Sequence, residues 1–241
     1  MDQAPISLKD YGTHPFSQLD KNTDWEYLFS NYMAMSQAFP YLQSASQKEI
    51  IFHAIEKNVP VASEAEMTSV VASFLTWDES GGHSAFLEFG YSGLSKMLDC
   101  KKYMHYHILK RDFEKLNSQF NIQPDFSPAT AKYLKRLYTG LSSLDHVERI
   151  SCMIAFENHA ETMIKALWGS LSEAFDIPKD ELEYFKLHVG GDDPAEAHHV
   201  EMTNALTSRI VKDNEQAAFR AHLDFYYRLN LDWCRSILSL Q

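Results

Sequence analysis

From Tyr27 to the neighbourhood of Leu238, the apolar residues of this chain recur at the interval of one helix face, and little interrupts them. Tyr27, Leu28, Asn31, Met35 and Phe39 fall about one turn apart and lead into Ala38-Phe-Pro-Tyr-Leu42. A second short run covers 46–56 and closes at Asn58-Val-Pro60. A long pattern follows over 63–98, and another through Tyr103 to Leu116. Nine Gly and eight Pro in 241 residues are few, so long uninterrupted elements are expected. Asn121 to Pro128 reads as the clearest loop, with Pro128 at the first helical position behind a Ser127 cap. Asp145 caps a helix to Phe175, and 181–189 is helical again. Asp193-Pro194 reads as an N-cap and first position for a helix through Val211, and Asp213 or Asn214 opens the last one. No window alternates with the period of a strand. The fold class expected is all-α, one domain over 1–241, with 1–12 as an N-terminal extension.

Charge and cysteine usage narrow the function classes. A net charge of −11 argues against nucleic acid, because a phosphate backbone needs a Lys/Arg stripe to release its counterions. No stretch approaches the roughly 18 consecutive apolar residues of a membrane span. Cys100, Cys152 and Cys234 have no paired spacing, as expected of a reducing compartment, and Met1 to Ser7 lacks the basic-then-apolar pattern of an export signal. A cytoplasmic protein is expected.

The segment His188-Val-Gly-Gly-Asp-Asp-Pro-Ala-Glu-Ala-His-His199 carries most of the chemistry. It supplies His188, Glu196 and His199, and the Glu-x-x-His spacing puts the last two on one helix face. Upstream, Glu79 and His83 are four apart and would lie about 40° apart around a continuous helix. Glu157 sits mid-helix among Met153, Ile154, Phe156 and Ile164, where an unpaired carboxylate is expensive to bury. Three imidazoles and three carboxylates form a donor set suited to iron or manganese. Each piece alone has an ordinary alternative: a surface Glu-His pair, a chance Glu-x-x-His, a satisfied core histidine. Together they offer balanced ligands from separate helices. Gly81-Gly82 and Gly190-Gly191 each lie beside a candidate ligand, which suggests bent backbone there.

In the order of its motifs the chain resembles the heme-oxygenase-like dimetal oxidases, and most closely the branch that holds a chlamydial protein associating with death domains. The residues carrying the likeness are Thr13-His-Pro-Phe16, Ala38-Phe-Pro-Tyr-Leu42, Asp78-Glu79 followed by Gly and then His83-Ser-Ala-Phe86, Glu157 after an apolar run, and Tyr184-Phe-x-x-His188 with a downstream acid-x-x-His. They span roughly 13–210. The resemblance implies a bundle of about seven to nine helices with Glu79, His83, Glu157, His188, Glu196 and His199 as the ligands of two Fe (or Mn/Fe) ions. It also implies O2 as co-substrate, a small organic substrate such as a fatty acid, amino acid or amine, and room for a homodimer.

Two departures matter. Relatives place the acid four residues after the first histidine and the last histidine seven after; here a four-residue insertion intervenes, making Asp192 a rival to Glu196. The spacing from Glu79 to His83 is also shorter than in many relatives. Where one branch carries a self-sacrificed tyrosine this chain has Phe16-Ser17, and Leu167 stands where that branch has lysine, which argues against such chemistry despite nearby Tyr27, Tyr32 and Lys165. The rival readings are a metal-independent enzyme like the thiamin-salvage or quinone-cofactor relatives, with Cys152 as its only suggestive thiol, and a helical interaction protein. Heme on His14 is a further analogy, poorly matched to a carboxylate cluster.

Overall fold

A computed structural model describes residues 11–117, 120, 122–191 and 194–238. Among these the chain is all helix, without strands: α1 (Trp25–Lys57), α2 (Ser63–Glu79), α3 (Gly82–Phe89), α4 (Cys100–Tyr103), α5 (His105–Leu116), α6 (Pro128–Leu141), α7 (His146–Phe175), α8 (Glu183–Val189), α9 (Ala195–Ile210) and α10 (Gln216–Ser236). Short 3-10 turns at Pro15–Gln18, Tyr91–Leu98, Lys179–Glu181 and Asp213–Glu215 join them. The proposed extension over 1–12 lies mostly outside the described residues, as do Asp192 and Asp193.

Ten α-helices exceed the seven to nine expected, and the extra ones come from one region. The pattern over 63–98 is not a single helix. It stops at Glu79, because Gly81 takes a left-handed φ of +88° and its α-carbon lies hard against Tyr103. A side chain there would meet the Tyr103 carbonyl oxygen at 2.4 Å, so the break requires glycine. Gly90, at φ +64°, ends α3 in turn. The reverse holds in α1, which runs unbroken through Pro40 where two runs were expected. Both of its halves are held by neighbours, α2, α5 and α6, and this packing outweighs the one backbone bond that proline removes.

Three helix starts follow side-chain caps. Asp24, Ser127 and Asp145 accept from the backbone N–H of Tyr27, Thr130 and Val147, and Pro128 opens α6. Pro194, by contrast, precedes α9 as its N-cap and not as its first position, and Asp213 and Asn214 form a 3-10 turn ahead of α10 and do not cap it. α7 is the axis. It packs against α10, α9, α6, α8 and α2, and from Arg149 to Glu157 every residue is buried. A helix apolar on all sides has no solvent face to give up. The shared core runs from Phe16 to Ile237 without a gap between separate clusters.

One polar contact fixes the short helix α8. The buried Asp112 carboxylate on α5 accepts from the Tyr184 backbone N–H at 2.7 Å, while Lys115 pairs with Asp112 at 3.1 Å and donates to the Glu181 carbonyl at 3.0 Å. Asp112 thus caps α8 from another helix, where α8 has no side-chain cap of its own. Replacing Asp112 with Ala should lower unfolding free energy by about 1–3 kcal/mol, the cost of orphaning a buried donor. Urea denaturation monitored by circular dichroism measures it; an unchanged midpoint would mean that α8 is held by its apolar face alone.

Candidate metal centre

Five helices deliver the polar residues of the interior. The last turn of α2 brings Asp78 and Glu79, α5 begins with His105, and α7 brings Glu157 at mid-length. α8 brings His188, and the first turns of α9 bring Glu196 and His199. They form two three-residue groups, Glu79 with His105 and His188, and Glu157 with Glu196 and His199. In the first, Glu79 stands between the imidazoles, with Oε2 3.4 Å from His105 Nδ1 and Oε1 3.7 Å from His188 Nε2. In the second, His199 Nδ1 lies 3.5 Å from Glu157 Oε2 and 3.9 Å from Glu196 Oε2. Glu79, Glu157, His188, Glu196 and His199 line one cavity of about 20 Å³, so the two groups face a common space.

Hydrogen bonds decide which ring nitrogen each histidine presents. His188 Nδ1 donates to the Tyr184 carbonyl at 2.8 Å, which leaves Nε2 aimed at Glu79. His199 Nε2 donates to Asp78 Oδ2 at 2.6 Å, which leaves Nδ1 facing the two glutamates. Such outer partners fix the tautomer and ring orientation of metal-binding histidines. Asp78 also receives His83, whose Nδ1 lies 3.5 Å from Oδ1.

The residues fit a pair of cations on three counts. Glu157 Oε1, Glu196 Oε1, His188 Nε2 and both His105 nitrogens are buried without a hydrogen-bond partner, a rare condition for protein polar groups and one that a metal bond relieves. Donor atoms about 2.0–2.2 Å from one ion sit about 3–4 Å apart, the range of the four carboxylate–imidazole distances above. Four buried carboxylates, Asp78, Glu79, Glu157 and Glu196, are a charge that two divalent cations balance.

Without cations, protons settle the charge unevenly. Burial pushes the Glu196 carboxyl well up, helped by Glu157 and Glu79 and opposed by His199, and Glu157 is raised for the same reason. Burial also pushes Asp78 and Glu79 up, but their histidine partners overcome it and hold both well below the usual carboxylate range. His199 is the converse. Burial disfavours its charged form, yet Asp78, Glu157 and Glu196 raise it well above the ordinary imidazole value.

Of the residues singled out in the sequence, Glu79, Glu157, His188, Glu196 and His199 are brought together. His83 lies outside both groups, beside Asp78 and stacked near Trp77 at 6.4 Å. The break at Gly81 turns it off the face it would share with Glu79. Asp192 lies outside the described residues. His105 completes the first group and was not anticipated. Its only signal in the sequence is register: it stands one and two turns before Leu109 and Asp112, on the buried face of α5.

A third buried group, His14, His159 and Cys234, has a metal-like composition. Its bonding is otherwise. His14 Nδ1 accepts from the Phe16 backbone N–H at 3.1 Å, so the neutral ring carries its proton on Nε2 and donates it to His159 Nε2, 3.2 Å away. To ligate through Nε2 this ring would have to become an imidazolate. Ligating heme through Nε2 as a neutral ring would instead cost His14 its bond from the Phe16 N–H. Burial lowers His14 to about 4 and holds His159 well below the ordinary imidazole value, which favours neutral rings. Cys152 faces the Leu137 carbonyl at 3.7 Å, does not line the cavity, and has a thiol pushed well up by burial, the opposite of an activated nucleophile. No helix among the described residues is long and apolar enough to cross a membrane. No protein-family model matches the sequence, and no curated protein matches it either.

Two outcomes are expected. Asp78→Asn should weaken divalent-metal affinity by about 10–100-fold without emptying the site, as loss of an outer partner does; competition with a chromophoric chelator measures it. Because Asp78, Glu157 and Glu196 favour the charged form of His199 in the metal-free protein, metal uptake should expel a proton and strengthen as pH rises. Titration calorimetry in buffers of different ionisation enthalpy reads that release, and a buffer-independent enthalpy would contradict the assignment of His199 as a ligand.

Proposed function

We propose that this chain is a non-heme dimetal oxidase or oxygenase, which uses O2 to oxidise a small organic substrate. One observation carries the reading: two carboxylate–histidine groups, with unpartnered donor atoms, face a single buried cavity. The order of the motifs along the chain, like that of the heme-oxygenase-like dimetal oxidases, supports it independently. Glu79, His105 and His188 would hold one ion, and Glu157, Glu196 and His199 the other. Bound there, a pair of iron ions (or manganese with iron) supplies electrons and open coordination positions to O2.

The protein's own part is orientation and exclusion of water. Asp78 aims His199, and the Tyr184 carbonyl aims His188. Phe39 and Phe156, stacked at 4.1 Å, close one wall with Met35, Met163 and Ile164. The Ser36 hydroxyl, buried and without a hydrogen bond, is the wall's polar group available to a reactant. At about 20 Å³ the cavity takes a water or a diatomic molecule. An organic substrate enters only if side chains move, and Met35 and Met163 are the flexible ones. That favours a slender, largely apolar chain as substrate, such as a fatty acid, aliphatic amine or amino acid.

Reconstitution with Fe(II) under nitrogen should give about two ions per chain, and admitting O2 should consume it faster than the same free Fe(II). His188→Ala and Glu157→Ala should each lose iron and O2 uptake together. Iron retained in full by both variants would sink this ligand assignment, and an iron-loaded protein inert to O2 would sink the oxidase reading.

A further inference from the structure

A surface groove of about 860 Å³ lies between α6 and α10, far larger than the central cavity. Its rim is basic. Lys132, Lys135 and Arg136 are exposed along it, and Asp232, the acid in its lining, is paired with Arg235 at 2.7 Å. In a chain of net charge −11 this local excess of cations runs against the whole. Its floor is aromatic, with Arg136 laid over Phe225 at 4.8 Å and Tyr133 and Trp233 beneath.

The two floor rings do not end at the groove. Tyr133 stacks on Trp233 at 4.7 Å and 13°, and Trp233 lies 6.4 Å from Tyr32 at 28°. The Tyr32 hydroxyl forms no hydrogen bond but is close enough to that of Tyr184 for each to influence the other. Tyr184 lines the central cavity and lies 4.1 Å from the ring of His188. Trp233 is held by its Nε1–H to Thr130 at 3.0 Å, and Tyr133 by its hydroxyl to Asn230 at 3.0 Å. Aromatic rings thus run in near contact from the basic groove to Tyr32, and from Tyr184 to a candidate ligand, with the two tyrosine hydroxyls as the link between the halves.

We propose that this groove docks an acidic one-electron carrier protein, and that Tyr133, Trp233, Tyr32 and Tyr184 conduct its electrons to the metal centre. The proposal rests on the oxidase reading. Full reduction of O2 to two waters takes four electrons and four protons; a two-electron dehydrogenation of the substrate supplies two of each, two carriers supply the other electrons singly, and solvent supplies the other two protons. Each carrier is oxidised by one electron, no bond forms at the rings, and each ring ends as it began. The occupant is acidic because the rim is basic, and charge complementarity governs encounter more than final affinity.

The test uses a plant-type [2Fe–2S] ferredoxin as the acidic probe, with the full chain. On the metal-free protein, calorimetry at low salt should show binding that weakens with salt and weakens at least about tenfold in Lys132→Glu/Lys135→Glu. On the iron-loaded protein after O2 exposure, stopped-flow oxidation of the reduced ferredoxin should slow by a similar factor in that variant, while reduction by dithionite stays within about twofold. Trp233→Phe, which keeps the stack and removes the more easily oxidised ring, should slow electron delivery without changing ferredoxin binding. Absence of binding by the wild type, or a charge-reversed variant that binds as tightly, overturns the docking surface. Unchanged delivery in Trp233→Phe overturns the conducting path. A chain that takes up no iron defeats the oxidase reading instead, and the metal-free binding result is unaffected by that failure.

Discussion

The structure is organised around carboxylates that it has removed from water. Asp78, Glu79, Glu157 and Glu196 stand within one patch of interior, and burying even one unpaired carboxylate costs several kcal/mol in a folded protein. The core around them is otherwise ordinary and apolar, so nothing in the hydrophobic packing requires them. Four histidines, His83, His105, His188 and His199, offset part of that cost through short contacts, yet Glu157 and Glu196 each keep an oxygen without a partner. A fold selected for stability alone would fill this patch with leucine. Cations are the counterpart that these donors and their spacing call for.

The scaffold is arranged so that the donors converge from elements with separate supports. α2 meets α9 through the Asp78–His199 bond, which ties the second group's histidine to the helix that delivers the first group's glutamate. α5 meets α8 through Asp112, which links the two helices carrying His105 and His188. α7 passes between them, buried on every side over 149–157, and brings Glu157 into the space they leave. Each outer contact therefore constrains two ligands at once. The common cavity stays small because the ligand-bearing helices are fixed to one another and not merely to the core.

How much of this could be read in advance depends on whether a residue's neighbour is near in sequence. Glu196 and His199 were legible because three residues on a helix is a fixed geometry, and Glu157 because a carboxylate amid apolar residues needs a reason. The caps at Ser127 and Asp145 were legible for the same local cause. His105 was not. It follows the short 3-10 and α4 turns between Tyr91 and Tyr103, whose mutual angles the apolar spacing does not encode, and only the folded chain places it against Glu79. His83 shows the converse. Its spacing from Glu79 implies a shared face on a continuous helix, but Gly81 at φ +88° ends that helix between them. The glycine pair was visible; which way it would turn the chain was not. The continuity of α1 through Pro40 was hidden likewise, since the partners that outweigh proline's cost are α2, α5 and α6.

Comparing the three buried histidine groups explains why composition alone misleads. Glu79, His105 and His188 and Glu157, Glu196 and His199 each combine carboxyl oxygens with ring nitrogens that face inward, because the other nitrogen of His188 and of His199 is already committed to donating. His14, His159 and Cys234 have no anion among them. Cys234 is a thiol held neutral by burial, and both imidazoles are kept uncharged for the same reason. In that group the backbone of Phe16 occupies His14 Nδ1 as a donor, the inverse of what the Tyr184 carbonyl does for His188. A carbonyl beside the outer nitrogen frees the inner lone pair for a metal; an N–H beside it places a proton there instead. The contrast between the inward-facing nitrogen of His188 and the proton-bearing one of His14 thus comes down to one backbone group at each ring, and the groups that combine carboxyls with such histidines lie where α7 meets α2, α8 and α9.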